Sequence, residues 1–253
     1  MKKTLIMGIL NVTPDSFSDG GNFFEKNLAI NHAKKLKNFG ADIIDIGAES
    51  TRPGFEKISV DEEIFRLKKI FPAIKNIFEK ISIDTYKPEV AEFALKNGAN
   101  IINDVSGLSD KKILEIAKKY SAQIIVMHNR KFFGNVIEDI KNFFMEILKI
   151  CRENNFDEKK IIFDPGIGFN KNFEENIFVL KNLRELRKSV ENKILLGASR
   201  KSFIGQATGF DIKNRDEATG AVCVLAISQG VDILRVHNVE MISKMCKIAD
   251  VII

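Results

Sequence analysis

The chain has 253 residues, enough to bury a full core, and its 45% hydrophobic and 29% charged residues are an ordinary composition for a soluble protein. The net charge of +5 is spread along the sequence with no block of five or more like charges, which argues against a dedicated nucleic-acid surface. Met-Lys-Lys leads straight into a strand-like run without the apolar stretch of a signal peptide, and no run nears the roughly 20 residues of a membrane span. Cys151, Cys223 and Cys246 form no C-x-x-C pair, so neither disulfides nor zinc are expected, and a cytoplasmic home follows.

The first apolar run, Leu5 to Leu10, has strand length and ends on Asn11, followed by a polar loop reaching to about Lys26. That loop is longer than the usual 2–6 residues between strand and helix and invites a functional explanation. A helical face follows in Leu28, His32, Ala33, Leu36 and Phe39, stopped by Gly40. Ile43 to Ile46 reads as a buried strand leading into Gly47-Ala48-Glu49-Ser50-Thr51-Arg52-Pro53-Gly54, and Val60 to Phe78 reads as a helix. Ile81 to Ile83 ends on Asp84, with Pro88 at the first turn of the next helix, and Ile101-Ile102 ends on Asn103-Asp104. Asp110 caps a helix to Tyr120, and Ile124 to Met127 ends on His128. Val136, Ile140, Phe143, Phe144, Ile147, Leu148 and Cys151 form a 3.6-residue stripe. Ile161 to Phe163 ends on Asp164, and one helix is expected over 172–188. Ile194 to Leu196 ends on Gly197-Ala198-Ser199-Arg200-Lys201, and a second long loop precedes a helix over 216–229. Ile233-Leu234 ends on Arg235-Val236-His237, and a last helix runs from about Val239 to Ala249.

Strand and helix alternate eight times with no composition break and no linker, so the chain reads as one domain, 1–253. Continuous apolar strands between amphipathic helices imply a parallel sheet, and eight units at this length fit a (β/α)8 TIM barrel better than an open sheet. No G-x-G-x-x-G follows the first strand and no G-x-x-x-x-G-K-[ST] is present, which removes the usual signs of dinucleotide or nucleoside-triphosphate binding. In a barrel the residues just past each strand build the active site. Here they sort into two chemistries. Arg52, Lys201, Arg235 and His237 match a phosphate or pyrophosphate, while Asp84, Asn103 and Asp164 would accept hydrogen bonds from a flat heterocycle bearing amino and ring N–H donors. Plainer readings stand beside these. Asp84 and Asn103 could be caps, Asp104 and Ser106 look like turn chemistry, Asp45 reads as a structural carboxylate, and Arg52 could pair with Glu49 or Asp45.

GILNVTPDSFSDGG (8–21), GAESTRPG (47–54), SIDTYKPEVA (82–91), IINDVSG (101–107), DPGIGF (164–169), GASRKSFIG (197–205) and RVHNV (235–239), in this order, resemble dihydropteroate synthases. The resemblance implies a barrel enzyme that joins 6-hydroxymethyl-7,8-dihydropterin pyrophosphate to p-aminobenzoate, releasing pyrophosphate, in folate biosynthesis. It further implies that Asp84, Asn103, Asp164 and Lys201 hold the pterin. Asn11, Thr51, Arg52, Arg235 and His237 would hold the pyrophosphate, with Mg²⁺ on Asn11. Thr51, Pro53, Phe169, Lys201 and Ser202 would line the p-aminobenzoate pocket, where sulfonamides would compete. Asp15 and Phe17, with Thr51, Arg52 and Pro53, would lie on loops that close over the site, and Asp84, Lys201, Arg235 and Arg52 would carry the catalysis. A homodimer through outer helices is implied, and no nucleic-acid or membrane partner. Asn238 departs from the family's usual Asp, and Asn129-Arg130 after His128 departs from a second Met and small residue, so capping or loop packing is the expected role of His128. A methyltetrahydrofolate–corrinoid methyltransferase-like barrel and a non-catalytic pterin-binding paralogue are the rival readings.

Overall fold

A computed structural model describes residues 3–13, 22–49 and 57–253. Eight strands alternate with helices: β1 (Leu5–Asn11), β2 (Ile43–Gly47), β3 (Ile81–Asp84), β4 (Ile101–Asp104), β5 (Gln123–Met127), β6 (Ile161–Asp164), β7 (Lys193–Leu196) and β8 (Ile233–Val236). Each pairs in parallel with its sequence neighbour, and β1 pairs with β8, so the sheet closes into a barrel. The outer layer is α1 (Asn22–Asn38), α2 (Val60–Ile74), α3 (Pro88–Lys96), α4 (Lys112–Lys119), α5 (Val136–Glu153), α6 (Phe173–Lys181), α7 (Leu183–Ser189), α8 (Ser202–Thr208), α9 (Asp216–Ser228) and α10 (Val239–Ile252). None of the described helices is long and apolar enough to cross a membrane.

Side chains alternate across each strand, so the strands face two ways, toward the helices and into the lumen. One alternate set packs against the helices, with Phe71, Phe144 and Phe163 among the largest wholly buried side chains. Gly8 is on this outer face. A Cβ there would stand 3.2 Å from Val239 Cγ2 and 3.3 Å from Leu36 Cδ1, so its lack of a side chain lets α1 and α10 close on β1. The other set fills the barrel. Met7, Ile43, Ile101, Ile125, Ile162, Leu195 and Ile233 form a separate apolar cluster, the floor of the lumen. One inward position further along β2, β4, β6 and β8 come Asp45, Asn103, Asp164 and Arg235, so the lumen turns polar within one pleat.

The helix expected over 172–188 is broken in two. Asn182 adopts φ −115° and ψ 20°, and its side-chain amide donates to Phe178 O at 2.7 Å, competing with the backbone ladder. The second long loop contains α8, too short and too glycine-broken to show in the pattern. The helix expected to reach Phe78 ends as α2 at Ile74, two residues after Pro72, which removes a backbone donor, and Phe78 stays buried in the turn that follows.

Candidate active site

The polar residues past the strands converge on one end of the barrel. Arg235, from β8, donates Nε–H to Asp45 Oδ2 at 2.6 Å and Nη2–H to Asp84 Oδ2 at 2.8 Å. Asn103, from β4, donates its amide to the same Asp45 oxygen at 3.0 Å. Asp45 Oδ1 and Asp84 Oδ1 are buried with no hydrogen-bond partner among the described residues. Burial pushes Asp84 up to about 7, against the pull of Arg235, with the negative charges of Asp45, Glu63 and Asp104 pushing the same way as burial. Burial also raises Asp164, opposed mainly by Lys201.

Asp164 ends β6 and accepts Gly166 N–H at 2.7 Å, the bond that turns the Asp-Pro-Gly loop. Lys201 Nζ donates to Ile167 O and stands 4.5 Å over the Phe169 ring. Burial lowers Lys201 to about 8, with Asp164 and Asp84 opposing and Arg235 reinforcing the shift. Ser202 is exposed at the start of α8, and Phe169 is half-buried. His237 Nδ1 lies 3.0 Å from Ser199 Oγ, which also accepts the His237 backbone N–H at 3.3 Å. Assigning the hydroxyl proton to the first contact leaves the imidazole proton on Nε2. Asn11 ends β1 opposite Gly47, where a Cβ would approach its Oδ1 to 3.4 Å. Asn11, Asp84, Asn103, Asp164 and Arg235 lie in the last residues of their strands, His237 just past β8, Phe169 and Lys201 in the loops after β6 and β7, and Ser202 at the start of α8. Asp15, Phe17, Thr51, Arg52 and Pro53 lie outside the described residues. No group of three or more His, Cys, Asp or Glu able to hold a metal occurs among the described residues.

The plainer readings of Asp104 and His128 hold as stated, while that of Arg52 lies outside the described residues. Asp104 accepts the backbone N–H of Ser106 at 2.8 Å and of Leu108 at 2.9 Å, pure turn chemistry. Glu49 is bonded by Lys87 at 2.6 Å, by Tyr86 and by Ile58 N–H, both at 2.8 Å, so both carboxylates considered as partners for Arg52 have described partners of their own. Asn238 caps α10 through Met241 N–H at 3.1 Å and donates to Asp216 at 3.0 Å. His128 is wholly buried, 2.7 Å from Asp139 Oδ2 and 2.9 Å from Lys171 Nζ, and so packs the loop as expected. Sequence reasoning gave no role to Arg200 or Lys171 and read Asp45 only as a structural carboxylate. Arg200 binds Asp216 through Nε at 2.6 Å and Nη2 at 2.7 Å, pinning the start of α9. Lys171 clamps the loop after β6. Asp45 lies in the lumen itself, and its shared parity with Ile43 and Gly47 was the available signal.

A closed parallel barrel whose carboxylates and cations gather past the strand ends is a barrel enzyme acting on a small polar ligand. The sequence model described as pterin binding enzyme matches residues 7–237. The dihydropteroate synthase of Clostridium beijerinckii is 46% identical over 100% of this chain and 95% of its own. The crystal structure of a dihydropteroate synthase from Clostridium difficile in the presence of pteroic acid superposes with a TM-score of 0.95 at 46% identity, covering 99% of this chain and 97% of that one. The dihydropteroate synthase from Anaplasma phagocytophilum with bound 6-hydroxymethylpterin-monophosphate gives 0.89 at 35%, covering 99% and 100%. The chain belongs to the dihydropteroate synthase family of pterin-binding enzymes.

Proposed function

We infer that this chain condenses 6-hydroxymethyl-7,8-dihydropterin pyrophosphate with p-aminobenzoate, giving 7,8-dihydropteroate and pyrophosphate in folate biosynthesis. The observation that carries the reading is the meeting of opposite chemistries at one rim: Arg235 reaches Asp45 at 2.6 Å and Asp84 at 2.8 Å, with Asn103 at 3.0 Å on the same Asp45 oxygen. That rim suits a ligand with a hydrogen-bond-donating ring at one end and an anion at the other.

In this reading Asp164 and Asp84 accept the pterin's amino and ring N–H donors, Asn103 adds an acceptor, and Lys201 binds the ring's far edge. Raised carboxylate pKa values mark groups whose charge is poorly solvated, and such groups gain most from a ligand that supplies donors or positive charge. Arg235, Arg52, Thr51 and His237 take the pyrophosphate. Phe169, Ser202, Lys201, Thr51 and Pro53 line the p-aminobenzoate pocket, with Asp15 and Phe17 on the covering loop. Mg²⁺ would suit this site with Asn11 as the residue that would hold it, a sparse protein contribution typical of that cation. When bound it supplies charge neutralisation on the leaving group. An arylamine is already nucleophilic at neutral pH, so no strong base is needed. The costly event is breaking the C–O bond to pyrophosphate, and the carboxylates favour the cationic pterin left behind. Loss of pyrophosphate therefore precedes attack by the amine.

Pyrophosphate release by the purified chain with both substrates and Mg²⁺ tests the reading, and its absence would favour a non-catalytic pterin binder. Arg235→Ala is expected to lower kcat by on the order of 100-fold or more, as for removal of a charge-stabilising donor, and Ser202→Ala by far less. Equal losses would count against the assignment. The enzyme is read as cytoplasmic, in keeping with three buried, unpaired cysteines. A homodimer through α9 and α10 is supported by Leu225, Ile248 and Val251, all more than half exposed on those helices. Sedimentation of the chain as a monomer at all concentrations would overturn that assignment.

A further inference from the structure

The lumen below the rim holds a carboxylate to which the reaction, as read above, gives no part. Asp45 is fully buried on β2, one inward position past Ile43 of the apolar floor. A lone buried carboxylate in such a place is costly, so its surroundings have to account for it. Its Oδ2 accepts Arg235 Nε–H at 2.6 Å and the Asn103 amide at 3.0 Å, and the same guanidinium reaches on to Asp84 at 2.8 Å. Resting on the proposed condensation, we propose that Asp45 is a positioning residue for it: Asp45 fixes the Arg235 guanidinium and the Asn103 amide, and holds the guanidinium to a single contact with Asp84, so that the second Asp84 oxygen is left for the pterin.

Three consequences of the geometry lead there. The Asn103 amide can donate to a carboxylate only with its NH₂ turned inward, which leaves its oxygen as the group available to a ring N–H. The Nε/Nη2 edge of Arg235, which commonly binds one carboxylate bidentately, is split between Asp45 and Asp84. Finally, Asp45 and Asp84 share the one guanidinium of Arg235, while Lys201 and Lys171 both act on Asp164, so among the described residues the Asp45–Asp84 pair holds one acidic group more than the cation it contacts, which suits a ring that becomes cationic as pyrophosphate departs. Without the Asp45 charge the count balances and Arg235 is free to close on Asp84.

A merely structural ion pair would tie β2, β4 and β8 together and do nothing else, and kinetics separate the two roles. The test is Asp45→Asn, with Ser82→Ala as the control. Ser82 is the register partner of Asp45 on β3, and its buried hydroxyl has no hydrogen-bond partner among the described residues. Asp45→Asn is expected to lower kcat/KM for the pterin substrate about 10- to 100-fold, the scale seen when an orienting group behind a reacting one is lost. The KM for p-aminobenzoate is expected to stay close to wild type, as is the Ser82→Ala enzyme throughout. The acid limb of kcat/KM, which follows Asp84 in the free enzyme, moves to lower pH, because Asp84 loses the repulsion of Asp45 and gains Arg235, while Glu63, Asp104 and Lys201 are unchanged around it. Wild-type kinetics in Asp45→Asn, or a loss of rate with the acid limb unmoved, overturns the proposal. If Asp45→Asn does not fold, calorimetry of 6-hydroxymethylpterin binding to the wild-type enzyme, in buffers of different ionisation enthalpy, decides. Net proton release near pH 7, as Asp84 ionises to accept the ring donors, is expected, and none between about pH 5.5 and 8.5 overturns it. This arm needs no turnover, so it is separable from failure of the proposed reaction.

Discussion

His128 is wholly buried between a carboxylate and an ammonium, with Nε2 2.7 Å from Asp139 Oδ2 and Nδ1 2.9 Å from Lys171 Nζ. An ammonium can only donate, so Nδ1 accepts, Nε2 carries the proton, and the ring is neutral. Burial, reinforced by the Lys171 charge, lowers its pKa to about 4, and Asp139 opposes the shift without cancelling it. The folded value is thus below the ordinary value of about 6.5 expected in the unfolded chain. The neutral ring therefore contributes stability that is complete above pH 6.5 and is lost as pH falls toward 4, by at most about 3 kcal/mol in all. Urea denaturation at a series of pH values checks this through His128→Gln. The mutant should be the less stable protein at pH 7.5, and its deficit should shrink steadily between pH 6.5 and 4. A deficit constant with pH would mean that packing, not protonation, sets the role of His128.

The loop after β6 shows what an element adds to its residues. Lys171 Nζ lies 2.9 Å from His128 Nδ1 and within 3.1 to 3.3 Å of the carbonyls of Gly166, Phe169 and His128, so one buried ammonium ties three turns of chain together. Gly166 sits inside that clamp at φ +72°, with the His128 carbonyl 2.0 Å from where a Cβ would be. Gly166→Ala is expected to destabilise the fold by more than about 2 kcal/mol, since backbone must move to admit the methyl group. Because Gly166 N–H also holds Asp164, pterin affinity measured calorimetrically should fall with stability, and unchanged affinity would show that the loop geometry does not set the carboxylate. This loop could be recognised in the sequence because its chemistry lies in consecutive residues, Asp-Pro-Gly-Ile-Gly-Phe. The same is true of Arg235-Val-His237 and of the strand-ending Asp84 and Asn103. Lys171, and the pairing of Asp45 with Arg235, escaped because the partners are 43 and 190 residues away, and only barrel closure brings them together. The split at Asn182 escaped for a different reason: a helical apolar stripe continues across a one-residue break.

At the scale of the molecule, the barrel separates what holds it together from what it is for. The floor is seven apolar side chains from seven strands, one pleat below the rim and taking no part in its hydrogen bonds. Ile125→Ala there should cost about 2–5 kcal/mol in transfer and cavity terms and leave both KM values unchanged, as read by denaturation and steady-state kinetics on the same sample. The rim should behave in the opposite way. Burial raises the pKa of Asp164, so the folded value is above the unfolded one, and at neutral pH the fold carries the cost of keeping that carboxylate charged. Asp164→Asn removes the charge while leaving an oxygen to accept Gly166 N–H. Stability should therefore rise, by about 1 kcal/mol or 2–4 °C in Tm. Activity should fall by about 1,000-fold or more, because a ring donor then meets a mismatched amide in a buried site. Ligand binding exposes the same opposition from the other side. Saturating pterin at about 100 times its Kd should stabilise the wild type by about 2.7 kcal/mol and Asp164→Asn far less, so the order of melting temperatures should invert on adding ligand. If Asp164→Asn melts below the wild type both with and without pterin, that carboxylate is part of the barrel's structural framework, and the division between floor and rim does not hold.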